Sequence, residues 1–477
     1  MLLVALVGNS DLTLDGAYLF QRNHAGDAPF FRERTAALLV EYPAARDRLD
    51  APLLAPQLQW LLEHQAGDVS APIDLLLIAT DQQPPHPQDT VYAAELLARW
   101  LPERFPPGAL AVRVETIAGE NPADYDAMYR WFRATLRRLA GQFPAGEVYL
   151  SVTGGTPAMT FALTLHGVEA FGNRSTFLYL PRGADRPVRL GVRRELQRAQ
   201  LLADARLLLE RGDFAHAAEL LRQAGLPRGA WTLAQAAAHR LAFDFEEAAR
   251  LARRHALREP RTREAGEWFL AQLERLQEAA ERLEREGMER AVPEAYEPLL
   301  SELVANLRHC WDAGRYADFL ARLFRFQEAL LRWLVEEQLG IPVHTEDGSS
   351  PPGFRRALQA RPDLRRLAEA RNLNVDRITR PLLVCLLQTV PAVRRDLETL
   401  EAFNRLTLLR GQTIVAHGFR GVSRDRVLAT YRQLAGPQAE PMADVEALAK
   451  RLALGEFAGW PEQLRAELAR LASESEG

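Results

Sequence analysis

The chain has 477 residues, 47% hydrophobic and 26% charged, a balance that fits about three packed domains and excludes global disorder, collagen-like repeats and low complexity. With 59 basic against 63 acidic residues the net charge is −4, so any nucleic-acid contact must be a local patch, and no stable DNA binding is expected. No apolar run approaches the roughly 20 residues of a membrane span, and the opening MLLVALVGNSD lacks the basic flank of a signal peptide, which predicts a cytoplasmic protein with no membrane partner.

From residue 1 to about 195, short runs rich in β-branched residues alternate with segments of helical period. The predicted strands are Leu2–Val7, Asp74–Thr80, Leu110–Ile117, Glu147–Thr153 and Ser175–Leu180, with Val188–Val192 as a weaker sixth. Helical patterns at Thr90–Phe105, Ala123–Phe143 and Thr156–Phe171 separate them, so the first domain is expected to be α/β, a Rossmann-like parallel sheet covered on both faces. From 196 to 294 the strand signal disappears, and Phe214–Ala224 and Ala242–Ala252 resemble two loose copies of a helical hairpin. The charged run RLQEAAERLEREGMERAVPEAYEPLL marks a boundary near Pro293, and 295–477 is expected to form an all-helical last domain. There the amphipathic RYADFLARLFRFQEALLRWLVEEQLG closes at Gly340 and Pro342, and HTEDGSSPPGF, 344–354, predicts an exposed, mobile loop. Cys310 and Cys385 lie far apart in helical patterns and fit buried thiols rather than a disulfide or zinc site; no metal is expected.

The strongest chemical signal in the first domain is EVYLSVTGGTPAMTFAL, where a strand ends at Thr153, two glycines follow and a helix opens at Thr156–Pro157. Glycines there let backbone N–H groups approach an anion closely, and a helix start adds donors. The plainer alternative is a tight turn with Thr156 as N-cap and Pro157 at the first helical position. The first strand runs into Gly8-Asn9-Ser10-Asp11 and the second into Thr80-Asp81-Gln82; in a parallel sheet these turns share one edge, where ligands bind at the switch in strand order. Neither G-x-G-x-x-G nor Gly-Lys-Ser/Thr occurs, which disfavours ordinary NAD or ATP binding.

In the last domain, RGQTIVAHG places Arg410 and His417 with six residues between them. On a continuous helix their Cα atoms would lie about 10.5 Å apart along the axis, near one face; Gly411 and the β-branched Thr413, Ile414 and Val415 make a loop at Arg410 equally consistent. A histidine titrating near neutrality can move protons at a ribose 2′-oxygen or a leaving 5′-oxygen while an arginine neutralises the phosphate, which suits RNA cleavage without metal. By spacing alone, surface contacts are the commoner use of such a pair.

Taken in this order, VGNSD, SVTGGTPAM, a helical connector and RGQTIVAHG resemble the CARF–HEPN ribonucleases that accompany type III CRISPR systems. The resemblance implies a CARF sensor at 1–195, a helical linker at 196–294 and a HEPN ribonuclease domain at 295–477. It implies a homodimer in which cyclic oligoadenylate, the tetra- or hexa-adenylate ring, binds the CARF domains and switches on the HEPN pair for antiviral defence. No cofactor other than this activator is implied. The matching ligand positions are Gly8, Asn9, Ser10, Asp11, Thr153, Gly154, Gly155, Thr156, Pro157 and Met159, with Thr80, Asp81 and Gln82 at the same edge. Arg410 and His417 match the catalytic pair, cutting single-stranded RNA to 2′,3′-cyclic phosphate and 5′-OH ends through a site shared by two chains. The family form has Asn directly after the arginine; Gly411 stands there instead, leaving Asn404 or Gln412 to supply the amide. Two rival readings are a CARF ring nuclease that opens the cyclic ligand, and a non-catalytic regulator using RGVSRDRVLATYRQL to bind a partner or nucleic acid.

Overall fold

The computed structural model describes residues 1–20, 30–64, 72–345, 347–413, 416, 418–455 and 457–474. Its contacts divide into two units, Met1–Gln197 and Arg198–Gly477, the division falling inside the helix Val192–Glu210. In the first unit six apolar runs become one sheet: β1 (Leu2–Leu6), β2 (Ile73–Asp81), β3 (Leu110–Ala118), β4 (Val148–Ser151), β5 (Ser175–Tyr179) and β6 (Val188–Leu190). Their order is β3-β2-β1-β4-β5-β6, parallel from β3 to β5. The predicted strands and Rossmann-like arrangement are present. Strand β6 pairs antiparallel with β5 because the connection from Tyr179 to Val188 is shorter than the dozen or so residues a parallel crossover needs.

β1 is buried along its whole length because helices cover both faces of the sheet. Leu3, Ala5 and Val7 pack with the helix Val91–Arg104, while Leu2, Val4 and Leu6 pack with the helices Tyr125–Gln142 and Pro157–Phe171. That two-sided burial explains an unbroken apolar run instead of an alternating one. A second sheet of Thr13–Leu14, Ala17–Tyr18 and Leu49–Asp50 was not anticipated, since two-residue strands carry no readable period.

The second unit is helical. The two suspected repeat copies become the helices Phe214–Gln223 and Phe245–Arg254, each followed or preceded by its antiparallel partner Arg228–Leu241. Both open the same way: Asp213 accepts a hydrogen bond from the His216 N–H at 3.3 Å and Asp244 from the Glu247 N–H at 3.1 Å. A buried phenylalanine follows each cap, and the pairs Ala217–Ala218 and Ala248–Ala249 keep the packed faces small.

Two apolar cores fill this unit. One runs from Leu283 to Leu454 around the helices Pro293–Asp312 and Tyr316–Leu339. The other joins Leu202–Leu276 to Ala305 and to the C-terminal segment Phe457–Ala472, so the helix Trp460–Glu474 seats on the connecting helices. A buried ion pair stands where they meet: the Arg240 Nε and Nη2 donate to Glu302 Oε2 at 3.0 and 2.6 Å, and the Trp460 indole N–H donates to Glu302 Oε1 at 3.0 Å. The guanidinium also lies 4.4 Å from the Trp460 ring centroid.

Of the segment 344–354, expected to be an exposed loop, Asp347, Ser349 and Pro352 are exposed but other described residues are packed inward. Thr345 and Ser350 are buried; the Ser350 hydroxyl donates to Val375 O at 2.6 Å, its N–H donates to Asp376 O at 2.9 Å, and Thr345 O accepts from Arg332 at 3.2 Å. Lack of period marks irregular backbone, and irregular backbone packs well once its polar groups are met. Among the described residues no helix is long and apolar enough to cross a membrane. Replacing Arg240 with Met leaves the buried Glu302 carboxylate without its cation and is expected to lower stability by about 3–5 kcal/mol in urea denaturation. Arg240→Met combined with Glu302→Gln, which keeps an acceptor for Trp460, is expected to recover most of that loss.

Candidate functional site

In the first unit, β1 and β4 are neighbours at the point where strand order reverses, so their C-terminal turns meet. The approach is too close for any side chain on the second turn. A Cβ on Gly154 would stand 2.5 Å from Leu6 O and 2.9 Å from Asp11 Oδ2, and one on Gly155, whose φ is +81°, would stand 2.9 Å from the Leu6 side chain. Asp11 fastens its own turn by accepting the Gly8 N–H at 2.5 Å. Burial pushes the Asp11 carboxyl up to about 7, with the Gly8 N–H opposing that rise.

Thr156 forms the expected N-cap, accepting the Met159 N–H at 3.2 Å and donating to Pro122 O, with Pro157 opening the helix. The Thr153 hydroxyl accepts the Leu180 N–H at 2.9 Å, tying the β4 turn to the residue after β5. Beside them lies a cavity of about 600 Å³. Ser10 and Thr153 line it, as the shared-edge argument requires, together with Tyr18, Tyr179 and Arg182. Arg182 follows β5 and was legible by the same edge logic; Tyr18 sits in the unpredicted small sheet.

Three expected ligand positions have other contacts in this structure. The Met159 side chain is 1% exposed and belongs to the core beneath the sheet, since the third position of the helix turns inward. Thr80 is buried against Thr90, which accepts the Thr80 N–H at 3.0 Å and donates its own N–H to the Thr80 hydroxyl at 3.1 Å. Gln82 is held by Asp89, which accepts its N–H at 3.0 Å and its side-chain amide at 3.1 Å. Asp81 pairs with Arg32 at 2.7 Å, and Arg32 also reaches Asp89 at 3.2 Å. The fully buried Asp89 is therefore the organiser of this turn, which fits the plainer reading of a structural loop. Asn9 donates to the Gln88 side chain at 2.6 Å.

In the second unit, Arg410 lies in the last turn of the helix Leu406–Gly411. The chain then reverses: the Thr413 hydroxyl donates to Arg410 O at 2.8 Å, the Gly418 N–H to Thr413 O at 3.1 Å, and the Arg420 N–H to Gln412 O at 2.9 Å. The helix that carries Arg410 thus ends at Gly411, so Arg410 itself is helical and the break comes just after it; His417, Ile414 and Val415 lie outside the described residues. The Arg410 guanidinium rests 4.1 Å from the Phe324 ring centroid, and its Nε is buried without a hydrogen-bond partner among the described residues. Of the two amides expected to assist, Gln412 is committed, its Oε1 accepting from Arg426 at 2.6 Å. Asn404 borders a cavity next to Phe324. The helix Arg424–Ala435, on which a nucleic-acid-binding regulator would depend, has its arginines engaged: Arg424 lies over Trp311 at 5.5 Å, and Arg426 holds Gln412.

The model of the Csm6 CARF domain matches residues 111–176, and that of the Csm6 HEPN domain matches residues 288–436. No curated protein matches the chain. Among solved structures it is similar to Enterococcus italicus Csm6 bound to cyclic hexa-2'-fluoro-hexa-dAMP, at 15% identity and a TM-score of 0.53, over 98% of this chain and 99% of that chain. At that identity the likeness is one of fold, and it spans both units.

Gly154→Ala is expected to drive the two turns apart, costing about 1–3 kcal/mol in thermal denaturation, and to weaken ligand binding at this edge in calorimetry. The Asp11 carboxyl binds a proton more readily in the folded chain than in the unfolded one, so its contribution to stability is full below about pH 4 and is lost as pH rises through about 7. Asp11→Asn is expected to remove that part of the pH dependence, read as a flatter urea midpoint across the same window.

Proposed function

The chain is a CARF–HEPN protein of the Csm6 type, and on that footing we propose that it is a cyclic-oligoadenylate-activated, metal-independent endoribonuclease of type III CRISPR defence. What carries the reading is the succession of a Csm6 CARF match and a Csm6 HEPN match on one chain. The solved relative with a cyclic oligonucleotide bound supports a ring as the activator. In the first unit the ring's adenines would stack on Tyr18 and Tyr179, its phosphates would meet Arg182, and the Ser10 and Thr153 hydroxyls would fix its riboses.

Cleavage is assigned to Arg410 and His417. The histidine takes the proton from the ribose 2′-OH as that oxygen attacks the adjacent phosphorus, or gives a proton to the departing 5′-oxygen, and the arginine neutralises the charge gathering on the phosphate. The products are a 2′,3′-cyclic phosphate and a 5′-OH. Stacking on Phe324 holds the Arg410 guanidinium in place, so little conformational freedom is lost when substrate arrives. One chain brings one such pair, whereas a homodimer brings two histidines and two arginines to a single-stranded RNA. Leu408 and Phe419, 61% and 95% exposed near Arg410 in sequence, support pairing of copies there. Ligand activates by binding the productive dimer arrangement more tightly than the idle one.

Purified protein given RNA in EDTA, with cyclic tetra- or hexa-adenylate added separately, is expected to cleave with one of the two rings. His417→Ala and Arg410→Ala are each expected to lower that cleavage by about 10²–10⁴-fold while ring affinity stays unchanged. Cleavage at the original rate by His417→Ala would refute the assignment. Because Ser10 and Thr153 both line the CARF cavity, a slow ring-opening activity in the same domain is a second reading. Linear oligoadenylate appearing in the His417→Ala reaction supports it, and an intact ring after prolonged incubation excludes it.

A further inference from the structure

The connecting helices carry one turn twice. After the helix Val192–Glu210, the Gly212 N–H donates to Leu209 O at 2.9 Å and the Asp213 N–H to Leu208 O at 2.8 Å. After Arg228–Leu241, the Phe243 N–H donates to Arg240 O at 2.9 Å and the Asp244 N–H to His239 O at 3.0 Å. Such a pair of bonds places the residue beyond the cap in the left-handed region, and φ is +71° at Gly212 and +64° at Phe243. Glycine takes that conformation freely, whereas the Cβ of a phenylalanine crowds the following carbonyl. The other described non-glycine residues with positive φ are Asp15, Asn372 and Ala453, none of them aromatic.

The first copy fills the space beside its turn, since a Cβ on Gly212 would stand 2.5 Å from His309 Nδ1. The second leaves that space open. Phe243 is 36% exposed, its ring lies 5.3 Å from that of Phe245, and both border a cavity of about 500 Å³. Leu283, Leu299, Leu300 and Leu303, on the helices Arg263–Glu286 and Pro293–Asp312, extend the apolar wall. The strained aromatic is thus not offset by burial in a core; it faces a cavity of the size and lining of a small-molecule pocket.

One side of the cavity is cationic. Arg322, Arg325, Ala329 and Arg332 follow one another along one face of the helix Tyr316–Leu339, and all four border it. Glu328 serves two of these arginines, accepting from Arg325 at 3.3 Å and from Arg332 at 2.6 Å. Arg322 donates to the neutral Asn306 at 3.0 Å. Among the described residues no carboxylate borders the cavity, and its other polar members, Tyr296 and His344, bring no negative charge. Three guanidinium groups against one carboxylate call for an anion, yet a multiply charged phosphate would lose its hydration against the leucines.

We propose that this cavity binds a small amphipathic carboxylate, its apolar body between Phe243 and the leucines and its head at Arg322 and Arg325. The site lies apart from Arg410 and from the sheet edge, and it stands whether or not the ribonuclease reading holds. Phe243 occupies its costly conformation to supply the aromatic wall.

The test titrates octanoate, 1-octanol and acetate into the full chain by calorimetry. Octanoate is expected to bind one molecule per chain with a Kd below about 1 mM, octanol at least about tenfold more weakly, and acetate without measurable heat. Arg325→Met is expected to weaken octanoate by about tenfold and to leave octanol unchanged. Phe243→Gly is expected to keep its melting temperature within about 2 °C, because relief of the backbone offsets the freedom glycine adds to the unfolded chain, while octanoate affinity falls by about tenfold. Ala321→Trp, which fills the cavity, is expected to abolish binding. No heat from octanoate, or octanol binding as tightly as octanoate, overturns the proposal. So does wild-type octanoate affinity in Phe243→Gly, which folds whatever becomes of Ala321→Trp because glycine suits its backbone.

Discussion

The first unit depends on one close approach, the passage of Gly154 and Gly155 across the end of β1. Leu6 O, the Leu6 side chain and Asp11 occupy the space that any Cβ there would need. Because the turn clears them, β4 lies directly beside β1 and the strand order reverses between the two. That reversal opens the crevice at the sheet edge, and the Thr153 hydroxyl closes one side of it by accepting the Leu180 N–H. A small steric allowance at two positions thus sets where a ligand fits, and Asp11 makes the same junction responsive to protons.

The second unit is held differently, by apolar helix faces pinned at a buried polar point. Arg240 and Glu302 are both fully buried, and a charge pair so placed is tolerable only because Trp460 and Gln272 complete its hydrogen bonding. The same economy of partners is missing near Arg410. There the Arg410 Nε is buried with no hydrogen-bond partner among the described residues.

Much of this was legible in the sequence, and the failures have physical causes. The apolar runs at Leu2–Val7 and Asp74–Thr80 became strands within a residue or two, since a doubly covered strand must be apolar throughout. T-G-G-T-P announced both the turn and the cap. The partners of Thr80 and Gln82 were not legible, because position at a sheet edge says nothing about what else competes for a polar side chain; Thr90 and Asp89, ten and seven residues away along the chain, hold them. The burial of Met159 was not legible, because a motif position does not tell which side of a helix faces the core. At Arg410, spacing alone left helix and loop equally open; the structure makes Arg410 helical and ends the helix at Gly411, with the Thr413 hydroxyl bonded to Arg410 O.

The seating of the helix Trp460–Glu474 on the connecting helices bears on how the chain matures in the cell. Phe214 stacks against Trp460, Phe269 meets it edge-on, and Arg240 waits for the same residue to complete the surroundings of Glu302. From Arg240 to Trp460 the ribosome has 220 further residues to add, roughly 10–45 s at ordinary elongation speeds. Throughout that interval the nascent connector carries an uncovered aromatic surface, which makes it a client for chaperones and leaves truncated chains prone to aggregate.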